Sequence, residues 1–230
     1  MKAVRWMWIL WAMVALCAIA PVFAQLAPPD PWEADIARFE ARDRLDPPKP
    51  GAVLFIGSSS IRFWESLATD FPQSRTIRRG FGGSTIGDAT RFAGRIIVPY
   101  KPRLIVLYAG DNDLSEGRSP PQVRDDFAAF VARVRRDLPR VPIAYIAIKP
   151  SPTRSNLLES ARQANDMIAD YAKTQPNLHM IDIFTPMLDA SGQPRGELFG
   201  EDQLHMSRAG YDIWITRIAP VLSRATSKLQ

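Results

Sequence analysis

Four short stretches of this 230-residue chain carry side chains that could do chemistry together. Val53-Leu54-Phe55-Ile56-Gly57 runs into three serines, Ser58, Ser59 and Ser60. Gly80-Phe81-Gly82-Gly83-Ser84 is rich in glycine, and Gly110-Asp111-Asn112-Asp113 joins an amide to two carboxylates. Asp202-Gln203-Leu204-His205 sets an acid three residues before an imidazole. A serine hydroxyl attacks a carbonyl only with a base in hydrogen-bond reach and a third group orienting that base. It also needs N–H donors where the oxyanion develops. Every one of these types occurs in the four stretches. Each stretch has a plainer reading as well. Serine is a favoured helix N-cap, and the glycines suit a tight turn. A dinucleotide fingerprint fails on spacing, because position 85 is Thr. Asn112 could bond its own backbone in a turn. His205 could be a buried, satisfied histidine, the reading given to His179 between Leu178 and Met180. Asp202 could be helix-start chemistry, with Ser207 as the cap.

The elements that would position these groups follow from periodicity. Val53–Gly57 is a short apolar run of β-formers, and Ile61, Phe63, Trp64 and Leu67 then recur at helical spacing, predicting a helix at about 60–69. Thr76-Ile77-Arg78 is a second strand, followed by a helix at about 86–98 and a third strand, Leu104–Tyr108. Ser119 caps a helix with Pro120 in its first turn and a stripe of Val123, Phe127, Phe130, Val131, Val134 and Leu138. Val141–Ile148 is strand four, 156–174 a helix, Leu178–Ile183 strand five, and 207–222 the last helix. Strands alternating with helices imply parallel pairing and right-handed crossovers. The expectation is one α/β domain at 51–230, three layers α/β/α, with a five-stranded parallel sheet ordered 2-1-3-4-5 as in flavodoxin-like folds. In such a sheet the loops after successive strands meet at the carboxyl edge, where sites lie. Ahead of it, 25–50 reads as a strap helix: Asp30-Pro31-Trp32-Glu33 starts it, Trp32, Ile36 and Phe39 share a face, and Asp46-Pro47-Pro48 stops it.

Composition narrows the class. Apolar residues make up 46% and charged residues 23%, ordinary for a globular protein with a sizeable core. Lys2 and Arg5 precede an apolar stretch from Trp6 to Ala20, and Val22-Phe23-Ala24 ends it in the manner of a signal peptide cleaved after Ala24. At about 15 residues the stretch falls just short of the ~17 that span a bilayer. Residues 1–24 are therefore read as a leader, and the mature protein as periplasmic or secreted, without stable membrane insertion. The single cysteine, Cys17, lies in the leader, which leaves no disulfide, thiolate catalysis or thiolate metal site in the mature chain. Lys2 and Arg5 carry two of the formal +5, leaving +3. Basic residues are interleaved with acids, as in Arg38-Phe39-Glu40-Ala41-Arg42-Asp43-Arg44, so nucleic acid is not an expected partner.

Taken together, the four stretches resemble the blocks of the SGNH hydrolases, the GDSL-type esterases and lipases. Phe55-Ile56-Gly57-Ser58-Ser59-Ser60-Ile61 resembles the first block, whose nucleophile falls on Ser59. Ser58 stands where that family most often has Asp, and Ser60 is the fallback nucleophile. Arg79-Gly80-Phe81-Gly82-Gly83-Ser84 resembles the second block, with its oxyanion glycine on Gly83. Gly110-Asp111-Asn112-Asp113 resembles the third, with its oxyanion asparagine on Asn112, and Asp202-Gln203-Leu204-His205 the last. The resemblance implies a catalytic triad of Ser59, Asp202 and His205. It also implies an oxyanion hole from the Ser59 and Gly83 N–H groups and the Asn112 amide. No metal or organic cofactor is implied. The expected activity is hydrolysis of small-molecule, polysaccharide or lipid carboxylic esters, short-chain or acetyl esters first. A lysophospholipase or thioesterase would need an apolar channel, for which Trp32, Phe63, Trp64 and Phe81 are candidates if they are not core. A catalytically dead carbohydrate-binding module on the same scaffold is the other class. Loops at 111–119, 149–156 and 185–201 are placed to set specificity, with Lys149 and Arg154 as either substrate contacts or solvated charges.

Overall fold

The computed structural model describes residues 30–227; the expected leader, its expected cleavage after Ala24 and Cys17 lie outside the described residues. Of the described residues, 31–227 form one compact unit. Its centre is a sheet of five parallel strands, β1 (Val53–Gly57), β2 (Thr76–Gly80), β3 (Leu104–Tyr108), β4 (Ile143–Ile146) and β5 (Leu178–Ile181), in the order β2-β1-β3-β4-β5. Val53 pairs with Thr76 on one side and Leu104 on the other, and Gly57 with Gly80 and Tyr108. The first three strands therefore end level. β1 and β3 are buried at every residue, as strands covered on both faces by helices must be.

The helices are α1 (Glu33–Leu45), α2 (Ser59–Arg62), α3 (Leu67–Asp70), α4 (Ile86–Arg91), α5 (Ala93–Ile96), α6 (Asp111–Ser115), α7 (Pro120–Asp137), α8 (Leu158–Lys173) and α9 (Arg208–Ser227). α4, α7 and α8 pack side by side on one face. On the other, the segment after α2 meets α9 through Trp64 and Trp214, both fully buried with ring centroids 5.8 Å apart. Tyr108 adds a ring 4.7 Å from Trp214. α1 lies against α5, where Arg95 grips Glu33 and Glu40 at 2.7–2.9 Å, and Asp43 takes Arg79 and the Tyr100 hydroxyl. No helix among the described residues is long and apolar enough to cross a membrane.

Several expectations change in detail: β5 stops at Ile181, α9 runs on to Ser227, and three further elements differ in ways that have a visible cause. The helix expected at 60–69 is two short helices, α2 and α3, because Phe63 and Trp64 serve different surroundings. Phe63 is half exposed at the sheet edge, while Trp64 is buried against α9 and its Nε1 donates to Asp70 at 2.7 Å. The helix expected at 86–98 breaks at Phe92 into α4 and α5, and a 3-10 turn containing Pro99 follows. β4 is shorter than 141–148. Past Ile146 the backbone of Ile148 is satisfied by the Asn165 side chain, which donates to its carbonyl at 3.0 Å and accepts its N–H at 2.8 Å.

Candidate active site

β1 ends at Gly57 with φ +145°, and a Cβ there would stand 1.8 Å from the Tyr108 carbonyl oxygen of β3. Only glycine allows that approach. The chain then turns directly into α2, and the three serines separate. Ser58 is buried, and its N–H donates to Tyr108 O at 3.1 Å. Ser60 is buried, and its hydroxyl has no partner among the described residues, whereas the imidazole is engaged by Ser59, so the fallback nucleophile is not the one the base meets. Ser59, first residue of α2, places its Oγ 3.0 Å from His205 Nε2 across 146 residues of sequence.

His205 and its acid come from one turn before α9. Asp202 Oδ1 accepts the N–H groups of Leu204 and His205, both at 2.9 Å, while Oδ2 sits 2.5 Å from His205 Nδ1. The turn closes with Gln203 in the left-handed region at φ +53°. The Leu204 N–H, the His205 ring and the His205 N–H together hold the Asp202 carboxyl down at about 2, because each stabilises the charged form. The turn is docked by α9. Tyr211 donates its hydroxyl to Ser60 O at 2.9 Å, and Arg208 reaches Asp70 at 2.7 Å and Ser66 Oγ at 3.1 Å.

The groups expected to act as oxyanion donors lie at the start of α2, in the turn after β2 and in α6. Ser59 opens α2, so its N–H has no carbonyl four residues back. Gly83, at φ +81°, donates its N–H to no backbone carbonyl among the described residues, and the edge of Trp32 lies over it, 3.0 Å from where a Cβ would be. Asn112 lies in α6, which begins directly after β3. Its Nδ2 donates to Ser84 O at 3.0 Å, leaving the second N–H of that group available. Asp113 is buried and accepts the Ile86 N–H at 3.1 and 3.3 Å, tying α6 to the start of α4 just past Gly83. Burial pushes the Asp113 carboxyl up to about 7.

The sequence-predicted residues Ser59, Gly83, Asn112, Asp202 and His205 thus converge at the carboxyl edge of the sheet. Others do not behave as expected. Lys149 is neither a solvated charge nor exposed to a substrate: its side chain is 1% exposed and its Nζ is 2.7 Å from Asp111 Oδ2. Arg154 also lies against Asp111, at 3.2 Å, and donates to Asn112 Oδ1 at 3.0 Å. Trp64 and Phe81 are fully buried core, whereas Phe63 stands edge-on to His205 with centroids 4.9 Å apart. His179, read from the sequence as buried, is instead exposed on the edge strand β5, away from the site. Thr153 had no signal in the sequence beyond its loop. Its hydroxyl donates to Asp202 O at 2.6 Å and its N–H to Gln203 O at 3.2 Å, so the loop after β4 braces the Asp202–His205 turn. Among the described residues there is no group of three or more His, Cys, Asp or Glu side chains placed to hold a metal ion.

The sequence model described as the GDSL-like Lipase/Acylhydrolase family matches residues 56–213. Among solved structures, the chain is similar to a GDSL-like lipase from Bacteroides thetaiotaomicron, at 19% identity and TM-score 0.71, over 84% of this chain and 98% of that one. It is similar to a carbohydrate esterase family 3 protein from Talaromyces cellulolyticus, at 16% identity and TM-score 0.63, over 78% and 100%. A point mutant of an acetyl-xylooligosaccharide esterase from Geobacillus Stearmophilus aligns at 15% identity and TM-score 0.59, over 74% and 93%. Among curated proteins, none matches the chain by sequence.

Proposed function

Given that the chain belongs to the GDSL-like lipase/acylhydrolase family, we propose that it is an exported serine esterase cleaving short-chain, chiefly acetyl, carboxylic esters through an acyl-Ser59 intermediate. The observation that carries this is the 3.0 Å approach of Ser59 Oγ to His205 Nε2, with Asp202 Oδ2 2.5 Å behind the other ring nitrogen. In this reading His205 takes the Ser59 proton as Oγ adds to the ester carbonyl, and returns it to the departing alcohol. Asp202, charged at any pH well above about 2, holds the Nδ1–H tautomer and stabilises the imidazolium. The Ser59 and Gly83 N–H groups and Asn112 Nδ2 receive the oxyanion. Water, deprotonated by His205, then releases the acyl group.

Short acyl groups are favoured because Trp64 and Phe81, two of the four aromatics able to line a long channel, are in the core. The names of two structural neighbours, a carbohydrate esterase and an acetyl-xylooligosaccharide esterase, point the same way and make decorated polysaccharide a natural substrate class. Export rests on the leader from Lys2 to Ala24. The test is hydrolysis of p-nitrophenyl acetate, with labelling by a fluorophosphonate probe. Ser59→Ala and His205→Ala should each abolish turnover in a folded protein, and Ser59→Ala should abolish labelling. A folded Ser59→Ala with near wild-type activity refutes the assignment.

A further inference from the structure

The amide of Asn112 has a problem that its backbone does not solve. The terminal torsion of an asparagine is broad and roughly two-fold, and its oxygen and nitrogen are nearly the same size. With Nδ2 toward the reacting carbonyl the side chain stabilises an oxyanion. With Oδ1 there it repels one. Two neighbours of opposite character decide between these states. Ser84 O accepts from the amide at 3.0 Å, and a carbonyl can only accept. Arg154 Nη2 lies 3.0 Å from the other end, and a guanidinium can only donate. The orientation is therefore dictated by the chemistry of the two partners.

Arg154 is in turn held by a charge cluster that the sequence does not announce. Its Nη1 is 3.2 Å from Asp111 Oδ2, the oxygen that Lys149 Nζ also meets at 2.7 Å. Lys149 continues to the Tyr108 hydroxyl at 3.2 Å. The side chains are 19%, 7% and 1% exposed for Arg154, Asp111 and Lys149. Burial alone would raise the Asp111 carboxyl, yet Lys149 and Arg154 outweigh it and hold the group below its ordinary value. One carboxylate thus faces two cations. The cluster carries a surplus positive charge, and Arg154 is the member whose fork reaches the amide. A cation hydrogen-bonded to Oδ1 polarises the carboxamide and strengthens its N–H as a donor.

We propose that Arg154, anchored by Asp111 and Lys149, is a positioning residue that fixes and polarises the Asn112 amide for the oxyanion. This deepens the esterase reading of the same site and rests on it. Thr153, the preceding residue, braces the Asp202–Gln203 carbonyls, so one loop supports both the acid–base turn and the oxyanion donor.

The experiment is a double-mutant cycle in the full chain with p-nitrophenyl acetate, using Arg154→Met to keep the packing of the arm and Arg154→Lys to keep a donor-only cation. Arg154→Met should lower kcat by about 10-fold or more, within the 10²–10³ that loss of a whole oxyanion donor costs, with KM within about twofold. Arg154→Lys should recover most of that loss. In an Asn112→Ala background Arg154→Met should change kcat by less than about twofold, since the group it positions is gone. Wild-type kcat in folded Arg154→Met, equal losses in Met and Lys, or losses that multiply in the double mutant would overturn the proposal. A readout that needs no turnover separates this from failure of the esterase reading. The Asn112 side-chain NH2 pair in ¹⁵N spectra should shift or broaden in Arg154→Met and stay near its wild-type position in Arg154→Lys. If the wild type hydrolyses no ester, the esterase reading falls. The same spectra still decide whether Arg154 orients the amide, and an unmoved NH2 pair in Arg154→Met overturns that too.

Discussion

Asp113 should cost the protein stability as pH rises, and replacing it with Asn should remove that cost. Its side chain is buried, accepts among the described residues only the Ile86 N–H from another segment, and titrates at about 7 because burial disfavours the charge. In the unfolded chain an Asp titrates near 3.9. The folded state therefore binds its proton more tightly than the unfolded one. By linkage, stability falls as pH rises between those two values, and the loss is complete above the folded value. From 3.8 to about 7, at 1.36 kcal/mol for each tenfold in proton affinity, the full cost approaches ~4 kcal/mol. Asp113→Asn keeps an acceptor for Ile86 and carries no charge at any pH. Urea unfolding of both proteins at pH 4, 6 and 8 should show the stability of the variant relative to wild type growing with pH, by up to ~4 kcal/mol. In thermal melts that is roughly 8–16 °C for a unit of this size. Comparing the two proteins cancels the titration of all other groups. A gap constant from pH 4 to 8 would refute the reasoning. So would a wild type that gains on the variant as pH rises, since that would mean the Ile86 N–H outweighs burial.

Asn112→Ala should lower kcat by about 10²–10³ and leave KM nearly unchanged in steady-state assays; a change confined to KM would make Asn112 a substrate-binding residue instead. Gly83→Ala should act twice. Its φ of +81° disfavours a side chain, at a cost of about 1 kcal/mol or more, and the new Cβ would press on Trp32. Stability by denaturant melts and kcat should therefore both fall, and adding Trp32→Ala should relieve the contact without restoring the backbone preference.

Much of this architecture was legible in the sequence because it rests on local pattern. The runs Val53–Gly57 and Leu104–Tyr108 are apolar at every position and turned out buried at every position. The stripe from Val123 to Val134 likewise faces the core. The meeting of Ser59, Asn112 and His205 was legible through their order along the chain, since loops after parallel strands share an edge. What stayed hidden was set by contacts between distant segments. Nothing local distinguishes Lys149 from a solvated loop lysine; its burial depends on Asp111, 38 residues earlier. Arg154 meets Asn112 only because β3 and β4 are neighbours, and no periodicity marks it. Phe63 and Trp64 both fit a helical apolar stripe, but one flanks the imidazole and the other supports α9, and that division broke the expected helix. The leader expected at residues 1–24 lies outside the described residues.

The proposed acid and base belong to a single four-residue turn, whose own carboxylate stitches it closed. Half of the machinery is thus assembled by neighbours in sequence, and the remaining half hangs on a single long-range spacing, hydroxyl to imidazole. That spacing is governed by how α9 seats against α2 through Tyr211 and against α3 through Arg208. A small slip of that terminal helix would disconnect the proton path while leaving the sheet and both layers intact, so catalytic competence is a finer gauge of the C-terminal seam than any measure of overall folding.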